Sequence, residues 1–117
     1  FGMLGTRPYF GLPGNPGATA ATFELFAKPA MKRLAGQAEV SPEKRRARLT
    51  HNVTGDGKRL ALLWCRLEWD GNSYQVTASK EQSSGQNLCL ADANAMLPVA
   101  AGVEQLEAGT DVEVLII

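Results

Sequence analysis

The feature that most constrains the fold is a change in hydrophobic period near residue 41. Before it, apolar side chains recur every three or four residues, as on one buried helix face, at Phe23, Phe26, Ala27, Ala30 and Leu34. After it, apolar and polar residues alternate, as in half-buried strands. The pattern therefore predicts two structural units, residues 1–38 and residues 39–117.

The first unit is predicted to be a strand, a turn and a helix. Residues 9–12 are apolar and strand-like, and a turn rich in proline and glycine follows them. Asn15 is a good N-cap, and Pro16 suits the first helical position, where a missing N–H costs nothing. Pro29 predicts that the helix kinks or restarts, and Gly36 predicts its end.

One strand and one helix cannot bury both of their faces, because an α/β layer needs neighbouring strands to complete its sheet. The chain also begins at Phe1 without an initiator methionine. We therefore expect the first unit to be the end of a larger α/β domain, and the chain to be a fragment of a longer protein.

The second unit is predicted to be a small all-β barrel or sandwich. Its patterns predict strands at residues 46–53, 60–67, 73–79, 96–99 and 112–116. Residues 60–67 are apolar on both faces, as in a central strand, and Asp70-Gly71-Asn72 predicts the hairpin turn that follows. Pro98 predicts an edge strand, and His51 falls on the apolar side of the first strand.

The turn before the helix is the stretch that points most clearly to a ligand. It consists of Leu12, Pro13, Gly14, Asn15, Pro16 and Gly17. A helix N-terminus offers unpaired N–H groups and a positive dipole end, so we expect an anionic group at the N–H groups of Gly17, Ala18 and Thr19. A rigid connector without a ligand is the alternative. The same two alternatives apply to the polar residues 81–86, which lead into one or two helical turns predicted at residues 88–94.

Charge and composition exclude several classes of function. Lys and Arg number 12 against 12 Asp and Glu, so no net field would attract the whole molecule to nucleic acid or to an anionic membrane. No apolar stretch approaches the roughly 20 residues that span a bilayer. An apolar content of 44% with 21% charged residues is typical of a folded globular chain.

No catalytic or metal-binding cluster is recognisable in the sequence. His51 stands alone, and the carboxylates have no spacing that would force two of them into one site. Cys65 and Cys89 lack a CxxC spacing, which indicates two buried thiols in a reducing cytosol. The basic run Lys44, Arg45, Arg46 and Arg48 beside Glu43 is interpreted as a solvated linker and edge strand, with phosphate binding as the alternative.

Several short motifs occur in a fixed order along the chain. They are Phe10-Gly11-Leu12-Pro13-Gly14-Asn15-Pro16, Thr22-Phe23-Glu24-Leu25-Phe26 with Lys28-Pro29-Ala30, Gln82-Ser83-Ser84-Gly85, Ala93-Asn94-Ala95, and Leu106-Glu107-Ala108-Gly109 with Val112-Glu113-Val114. This series resembles the C-terminal part of the molybdopterin molybdenumtransferases, the molybdenum-insertion enzymes of molybdenum cofactor biosynthesis, a family that includes the E domain of gephyrin.

The resemblance implies a fold and a reaction. Residues 1–38 would end a molybdopterin-binding α/β domain, and residues 39–117 would form a small β-barrel domain. The parent protein would be a cytoplasmic homodimer that uses Mg²⁺ and converts adenylylated molybdopterin and molybdate into molybdenum cofactor and AMP. Neither nucleic acid nor a membrane would be a partner.

The resemblance also implies where substrate binds. Substrate contacts would come from Pro13, Gly14, Asn15, Pro16, Gly17, Ser83, Ser84 and Gly85. Catalytic and metal-binding residues would lie upstream of this chain, so the fragment alone is expected to be inactive and to bind neither Mg²⁺ nor molybdate. The alternative is a binding or scaffold module of the same family without catalysis. The related adenylyltransferases stop after the α/β domain, so the β-rich second unit argues against them.

The sequence departs from the family pattern at four places. Ser83 replaces the first glycine of Q-G-S-G, and Ala95 replaces the glycine after the Ala-Asn pair. The arginine of an F-x-R motif is missing near Ala61-Leu62-Leu63, and Gly17-Ala18-Thr19 stands where Val-Ser-Ala is usual. These departures bear on how the barrel loops meet the substrate.

Overall fold

The computed structural model of the chain describes residues 1–79 and 88–117. It begins with an antiparallel hairpin of two strands, β1 (Gly2–Leu4) and β2 (Arg7–Tyr9). The prediction of a strand at residues 9–12 is therefore wrong. The last pair of the hairpin is Gly2 with Tyr9, so residues 10–12 have no strand partner in the described part of the chain.

The helical stretch begins and ends as the sequence predicts. Helix α1 (Pro16–Thr22) has Asn15 as its N-cap, and the side-chain oxygen of Asn15 accepts a hydrogen bond from the Ala18 N–H at 3.2 Å. At the other end, Gly36 adopts a φ of 83°, and the Gln37 N–H donates to the Lys32 carbonyl at 3.0 Å. This is a glycine C-cap, which satisfies carbonyls that would otherwise lack partners.

The predicted interruption at Pro29 takes the form of one π-helical segment. Phe23–Ala27 is π-helical, and the Lys28 N–H donates to the Phe23 carbonyl. Helix α2 (Lys28–Leu34) follows, with Pro29 in its first turn. Because proline has no N–H, it cannot donate to a carbonyl of the preceding turn, and the π-helical segment lies where this ladder of hydrogen bonds is interrupted.

The second unit is a closed five-stranded barrel. Its strands are β3 (Lys44–Leu49), β5 (Ala61–Trp69), β6 (Tyr74–Ala78), β7 (Ala95–Val99) and β9 (Asp111–Ile116), in the order β3-β6-β5-β7-β9. The strands β4 (Val53–Thr54) and β8 (Gln105–Leu106) form a separate two-stranded sheet, and α3 (Leu88–Ala91) is a short helix before β7. The prediction of a barrel is confirmed, and one helical turn lies within the predicted residues 88–94.

Strand β5 shows why its sequence is apolar on both faces. Leu63, Cys65 and Leu67 belong to the barrel core, whereas Trp64 points to the outside, as alternation in a strand requires. Outside the barrel, Trp64 is still only 7% exposed, because the helix covers it. The predicted central position of this strand is confirmed, since β5 pairs with both β6 and β7.

The helix packs against the barrel with a face that the sequence pattern did not predict. Trp64 and Met96 of the barrel form an apolar cluster with Ala20, Ala21, Leu25, Leu90, Ala93, Leu115 and Ile117. On the predicted face, Ala27 is buried, but Phe26 is 61% and Leu34 is 71% exposed. The two small alanines allow the helix to approach the large Trp64 ring, and the bulkier aromatic residues remain on the other side.

Two strand predictions need correction. β7 is not an edge strand, because it pairs with β5 and β9. Pro98 is tolerated there because the ladder to β9 ends at Met96, so β7 has a partner on one side only at Pro98. The strand predicted at residues 46–53 is two strands, since the chain leaves the barrel after Leu49 and pairs again only from Val53.

Within the described residues, none of the helices combines the length and the apolar character needed to cross a bilayer. The polar loop predicted at residues 81–86 lies outside the described part of the chain.

Candidate functional site

The proline turn, residues 12–17, connects the N-terminal hairpin to the helix. Its conformation is held by Asn15 and Thr19. The Thr19 hydroxyl donates to the Asn15 carbonyl at 2.8 Å and also contacts the Pro13 carbonyl, and the Thr19 N–H donates to the same Asn15 carbonyl at 2.8 Å. The turn is therefore fixed by hydrogen bonds as well as by the restricted φ of its two prolines.

These hydrogen bonds change what the helix N-terminus can offer to a ligand. The Ala18 N–H is donated to the Asn15 side chain, and the Thr19 N–H is donated to the Asn15 carbonyl. The expectation that these two groups are available to an anion is therefore wrong, because the N-cap residue already satisfies them. Substrate binding by Pro13, Gly14, Asn15, Pro16 and Gly17 stays a prediction, and among the three expected N–H groups only that of Gly17 is not assigned to the N-cap residue.

Trp64 lies directly beside the turn, and sequence reasoning did not identify it. A Cβ atom placed on Gly17 would be 3.6 Å from the Trp64 Nε1 and 3.6 Å from the Asn15 side-chain oxygen. Both distances are ordinary contacts, so Gly17 is not required to make room for the indole. The signal that could have revealed Trp64 is the apolar outer face of β5, which must be covered by another element.

The position of Leu63 clarifies the departure at the F-x-R motif. Leu63 is 9% exposed and belongs to the barrel core, so its side chain does not face the turn. An arginine there would carry an unpaired charge into an apolar interior. The residue of β5 that lies beside the turn is its neighbour Trp64. The apolar environment of the barrel core therefore explains why leucine occupies position 63.

The turn also borders an apolar groove of about 560 Å³. The groove is lined by Phe1, Phe10, Gly11, Leu12, Pro13, Thr22, Leu25, Phe26 and Ala30. Thr22 is the one side chain with a polar group among these lining residues, and its hydroxyl already donates to the Ala18 carbonyl at 2.7 Å. Such a surface suits contact with other apolar protein surface rather than with a charged ligand.

Asn94, in the Ala93-Asn94-Ala95 motif, forms hydrogen bonds with the backbone of barrel strand β5. Its side-chain oxygen accepts from the Leu67 N–H at 2.7 Å, and its side-chain nitrogen donates to the Leu67 carbonyl at 3.0 Å. Ala95 is completely buried in the barrel core, so the methyl group that replaces the family's glycine is accommodated there. Ser83, Ser84 and Gly85 lie outside the described residues, and their substrate contacts stay predictions.

The part of the chain that the structure describes brings no three His, Cys, Asp or Glu side chains together in a way that could hold a metal ion. Burial raises the pKa of the Cys65 thiol to about 12, so this cysteine is neutral and unreactive in the folded protein. The described residues therefore do not fit a Mg²⁺ site, and Cys65 is not available as a nucleophile.

Comparison with known proteins identifies the family. The sequence model of the MoeA C-terminal region (domain IV) matches residues 46–117, more than half of the chain. The chain belongs to this family. The resemblance seen in the ordered motifs is thereby confirmed, and so is the expected fold of the second unit.

The similarity extends beyond the matched domain. The chain is 35% identical over 109 residues to a molybdopterin molybdenumtransferase of Nostoc sp. and 32% identical over 107 residues to one of Staphylococcus aureus, in both cases over 92% of this chain. The molybdopterin biosynthesis MoeA protein of Pyrococcus horikoshii has a similar structure, with a TM-score of 0.72 and 30% identity over 90% of this chain. The chain spans about a quarter of the length of each of these three proteins.

Proposed function

We propose that this chain is the C-terminal part of a molybdopterin molybdenumtransferase, which inserts molybdate into adenylylated molybdopterin and releases AMP to complete molybdenum cofactor biosynthesis. One observation carries the proposal. The two relatives that bear this enzyme name match 92% of the chain, so the likeness includes the proline turn and the helix as well as the family's barrel domain.

The proposal assigns different tasks to the two units of the chain. Residues 1–38 would end the molybdopterin-binding α/β domain, and residues 39–117 would be the barrel domain. The exposed side chains of Phe26 and Leu34 support this division, because they provide an apolar surface for the rest of an α/β domain. The proline turn would shape one wall of the substrate pocket.

The described residues bring no metal-binding cluster together, so the chemistry would be performed elsewhere in the parent protein. Mg²⁺, molybdate, a homodimeric state and a cytoplasmic location belong to the proposal through the family resemblance. The isolated chain would supply structure and part of a pocket but no turnover.

The test compares the isolated chain with its full-length parent protein. Both are incubated with adenylylated molybdopterin, Mg²⁺ and molybdate, and AMP release is measured. We expect AMP release that depends on molybdate from the parent protein, and none from the isolated chain. A folded parent protein that releases no AMP would contradict the proposal, and turnover by the chain alone would contradict the assignment of catalysis to upstream residues.

A scaffold module without catalysis is the second candidate, and one observation favours it. Phe1, Leu4, Phe26, Met31 and Leu34 are all exposed and apolar, which is typical of a surface that packs against other protein. A parent protein that folds, assembles with a partner and releases no AMP would support this alternative.

A further inference from the structure

The first half of strand β3 has one edge that pairs with no other strand in the described part of the chain. Its other edge pairs with β9 along residues 44–48, but the ladder between β3 and β6 begins only at Arg48, opposite Gln75. Residues 44–47 therefore lie before the start of that ladder, although the barrel as a whole is closed. We call the side of residues 44–47 that faces away from β9 the open edge of β3.

The hydrogen bonds of β3 show which backbone groups face this edge. The Glu43 carbonyl accepts from the Ile116 N–H at 2.8 Å, and the Leu49 N–H donates to the residue just before β9 at 3.0 Å. Alternate residues of a strand direct both of their backbone groups to the same neighbour, so the odd-numbered residues of β3 face β9. The N–H and carbonyl groups of Lys44 and Arg46 therefore point to the open edge, where none of the described strands bonds them.

The tight turn between β5 and β6 explains why β6 does not extend along the open edge. The Asp70 N–H donates to the Ser73 carbonyl at 3.1 Å, and the Asp70 carboxylate accepts from the N–H groups of Asn72 and Ser73, both at 2.8 Å. These bonds reverse the chain immediately before Tyr74, the first residue of β6. The space left beside the open edge is a hollow of about 600 Å³, which is lined by residues of β3 and β9 and by Ser73 and Tyr74.

The side chains along the open edge are cationic, and one of them has no carboxylate partner. Lys44 pairs with Glu113 at 2.8 Å, and Arg48 pairs with Asp111 at 3.2 Å. Arg46 lies between them on the same face of the strand, is exposed, and forms no ion pair within the part of the chain that the structure describes. The open edge therefore combines a free guanidinium with unpaired backbone groups.

These charges select the kind of segment that can occupy the open edge. Residues directly opposite one another on neighbouring strands have Cβ atoms roughly 5 Å apart, and like charges there are destabilising. A second copy of β3 would place cations against cations, so pairing between two copies is disfavoured. A carboxylate opposite Arg46 would instead form a charge-assisted hydrogen bond. On the other face of β3, Ala47 is buried, so apolar residues suit the alternate positions of the partner.

We propose that the open edge of β3 binds an extended acidic segment of another protein, which adds a strand to the barrel and places a carboxylate beside Arg46. Backbone hydrogen bonds to Lys44 and Arg46 supply the affinity, and alternating acidic and apolar side chains supply the selectivity. The proposal does not depend on the proposed reaction, because the edge belongs to this chain and binding is measured without turnover.

The test uses a blocked hexapeptide of alternating glutamate and valine as the probe. It is added to the ¹⁵N-labelled whole chain, and the amide signals of Lys44 and Arg46 are followed by NMR. We expect saturable shifts of both signals. At saturation, hydrogen exchange of the Arg46 N–H should slow by about tenfold or more, because this group acquires an acceptor.

Two matched peptides separate strand addition from simple attraction of charge. One has lysine in place of every glutamate, and the other keeps the glutamates but carries a methyl group on every backbone nitrogen. Neither should give saturable shifts, because the first places cations beside Arg46 and the second cannot donate backbone hydrogen bonds.

Arg46→Gln removes the free charge and keeps a polar side chain on the exposed face of the strand. We expect it to weaken peptide binding about threefold or more. Arg33→Gln, on helix α2, changes the net charge equally and should leave binding unchanged. Amide spectra verify that both variants are folded.

The proposal is overturned if the signals of Lys44 and Arg46 do not shift saturably, or if Arg46→Gln binds the peptide as tightly as the unmodified chain. The same shifts with the methylated peptide or with inorganic phosphate would also overturn it, because they would identify a patch that attracts any anion. Slow exchange of the Arg46 N–H without peptide would overturn it as well, since the edge would already be covered, by a second copy if the slowing depends on protein concentration and otherwise by another part of the chain.

Discussion

The side-chain amide of Asn94 takes the place of a peptide group beside β5. Its oxygen and nitrogen bind the N–H and the carbonyl of Leu67, at 2.7 Å and 3.0 Å. Leu67 is buried, so these two backbone groups would have poor access to water if the amide were removed. Asn94, a polar residue of a family motif, therefore has a structural role in the barrel.

Replacement of Asn94 by alanine is expected to destabilise the barrel by roughly 1–3 kcal/mol, because it leaves buried polar groups of Leu67 without partners. Chemical denaturation followed by circular dichroism measures the change. The control is Asn72→Ala, in the exposed hairpin turn, which should change the free energy of unfolding by less than about 0.5 kcal/mol. Equal losses in the two variants would contradict the role assigned to Asn94.

Asp70 gives a prediction about pH. Its carboxylate accepts from the N–H groups of Ser73 and Asn72, both at 2.8 Å, and these bonds hold the pKa of Asp70 below its usual value. A carboxyl group whose pKa is lower in the folded state than in the unfolded state stabilises the protein at pH values above the unfolded-state pKa, which is roughly 3.9 for aspartate. This stabilisation is lost as the pH falls through the pKa of the folded state.

Asp70→Asn keeps an acceptor in the turn but does not titrate. The melting temperature of the unmodified chain should therefore exceed that of Asp70→Asn at neutral pH, and the difference should disappear in strong acid. Thermal unfolding of both proteins between neutral pH and about pH 2 tests this expectation. A difference that stays constant over the whole range would show that the charge of Asp70 contributes nothing.

The proline turn joins a hairpin to a helix and is rigid for two reasons. Its prolines restrict the backbone, and Thr19 binds the carbonyls of Asn15 and Pro13.

The sequence predicted the main features of the helical stretch, because capping and proline chemistry act locally. These features are the N-cap at Asn15, the first helical position at Pro16 and the interruption at Pro29. The use of the Ala18 N–H by the cap was predictable from the same rule, and it reduces the number of donors left for an anion.

Replacement of Pro13 or Pro16 by alanine should affect activity more than stability. Each change keeps the backbone carbonyl and costs only about 0.4–1 kcal/mol through the unfolded state. If the turn positions substrate as proposed, AMP release by the full-length parent protein should fall about tenfold or more. Pro42→Ala, outside the turn, is the control and should retain normal activity. A large loss of melting temperature with normal turnover would show that the turn has only a structural role.

The whole molecule consists of a barrel and an N-terminal segment that covers one side of it. Period-two patterns predicted most strands and the barrel, because alternation reports directly which face is buried. The face by which the helix packs could not be predicted in the same way, since Phe23 and Phe26 look more suited to burial than Ala20 and Ala21. Trp64 determines which face of the helix packs on the barrel, because its large ring requires small residues opposite it.

A chain truncated to residues 39–117 should still fold but with lower stability. The five-stranded barrel is closed without the helix, whereas Trp64 and Met96 lose the cover provided by Ala20, Ala21 and Leu25. In a Trp69→Phe background, Trp64 is the remaining tryptophan, and its emission should shift to longer wavelength in the truncated chain than in residues 1–117. The measurement is fluorescence together with thermal unfolding.

The truncated chain could instead be unstructured by circular dichroism while the whole chain with Trp69→Phe folds. In that case the boundary near residue 39 would be wrong, and the helix would be an essential part of the barrel's core. An unshifted emission of Trp64 in a folded truncated chain would contradict the cover that the helix provides.

The pairing of β3 with β9 has a consequence for the order of events during synthesis. In this ladder Lys44 is paired with Leu115, so the first strand of the barrel cannot complete its pairing until the last strand has left the ribosome. The other neighbour of β3 is β6, and their parallel ladder contains only the pairs Arg48 with Gln75 and Leu49 with Val76. A nascent chain therefore carries β3 with an unpaired edge until β9 has been synthesised, and such an edge is a site at which one chain can pair with another and aggregate.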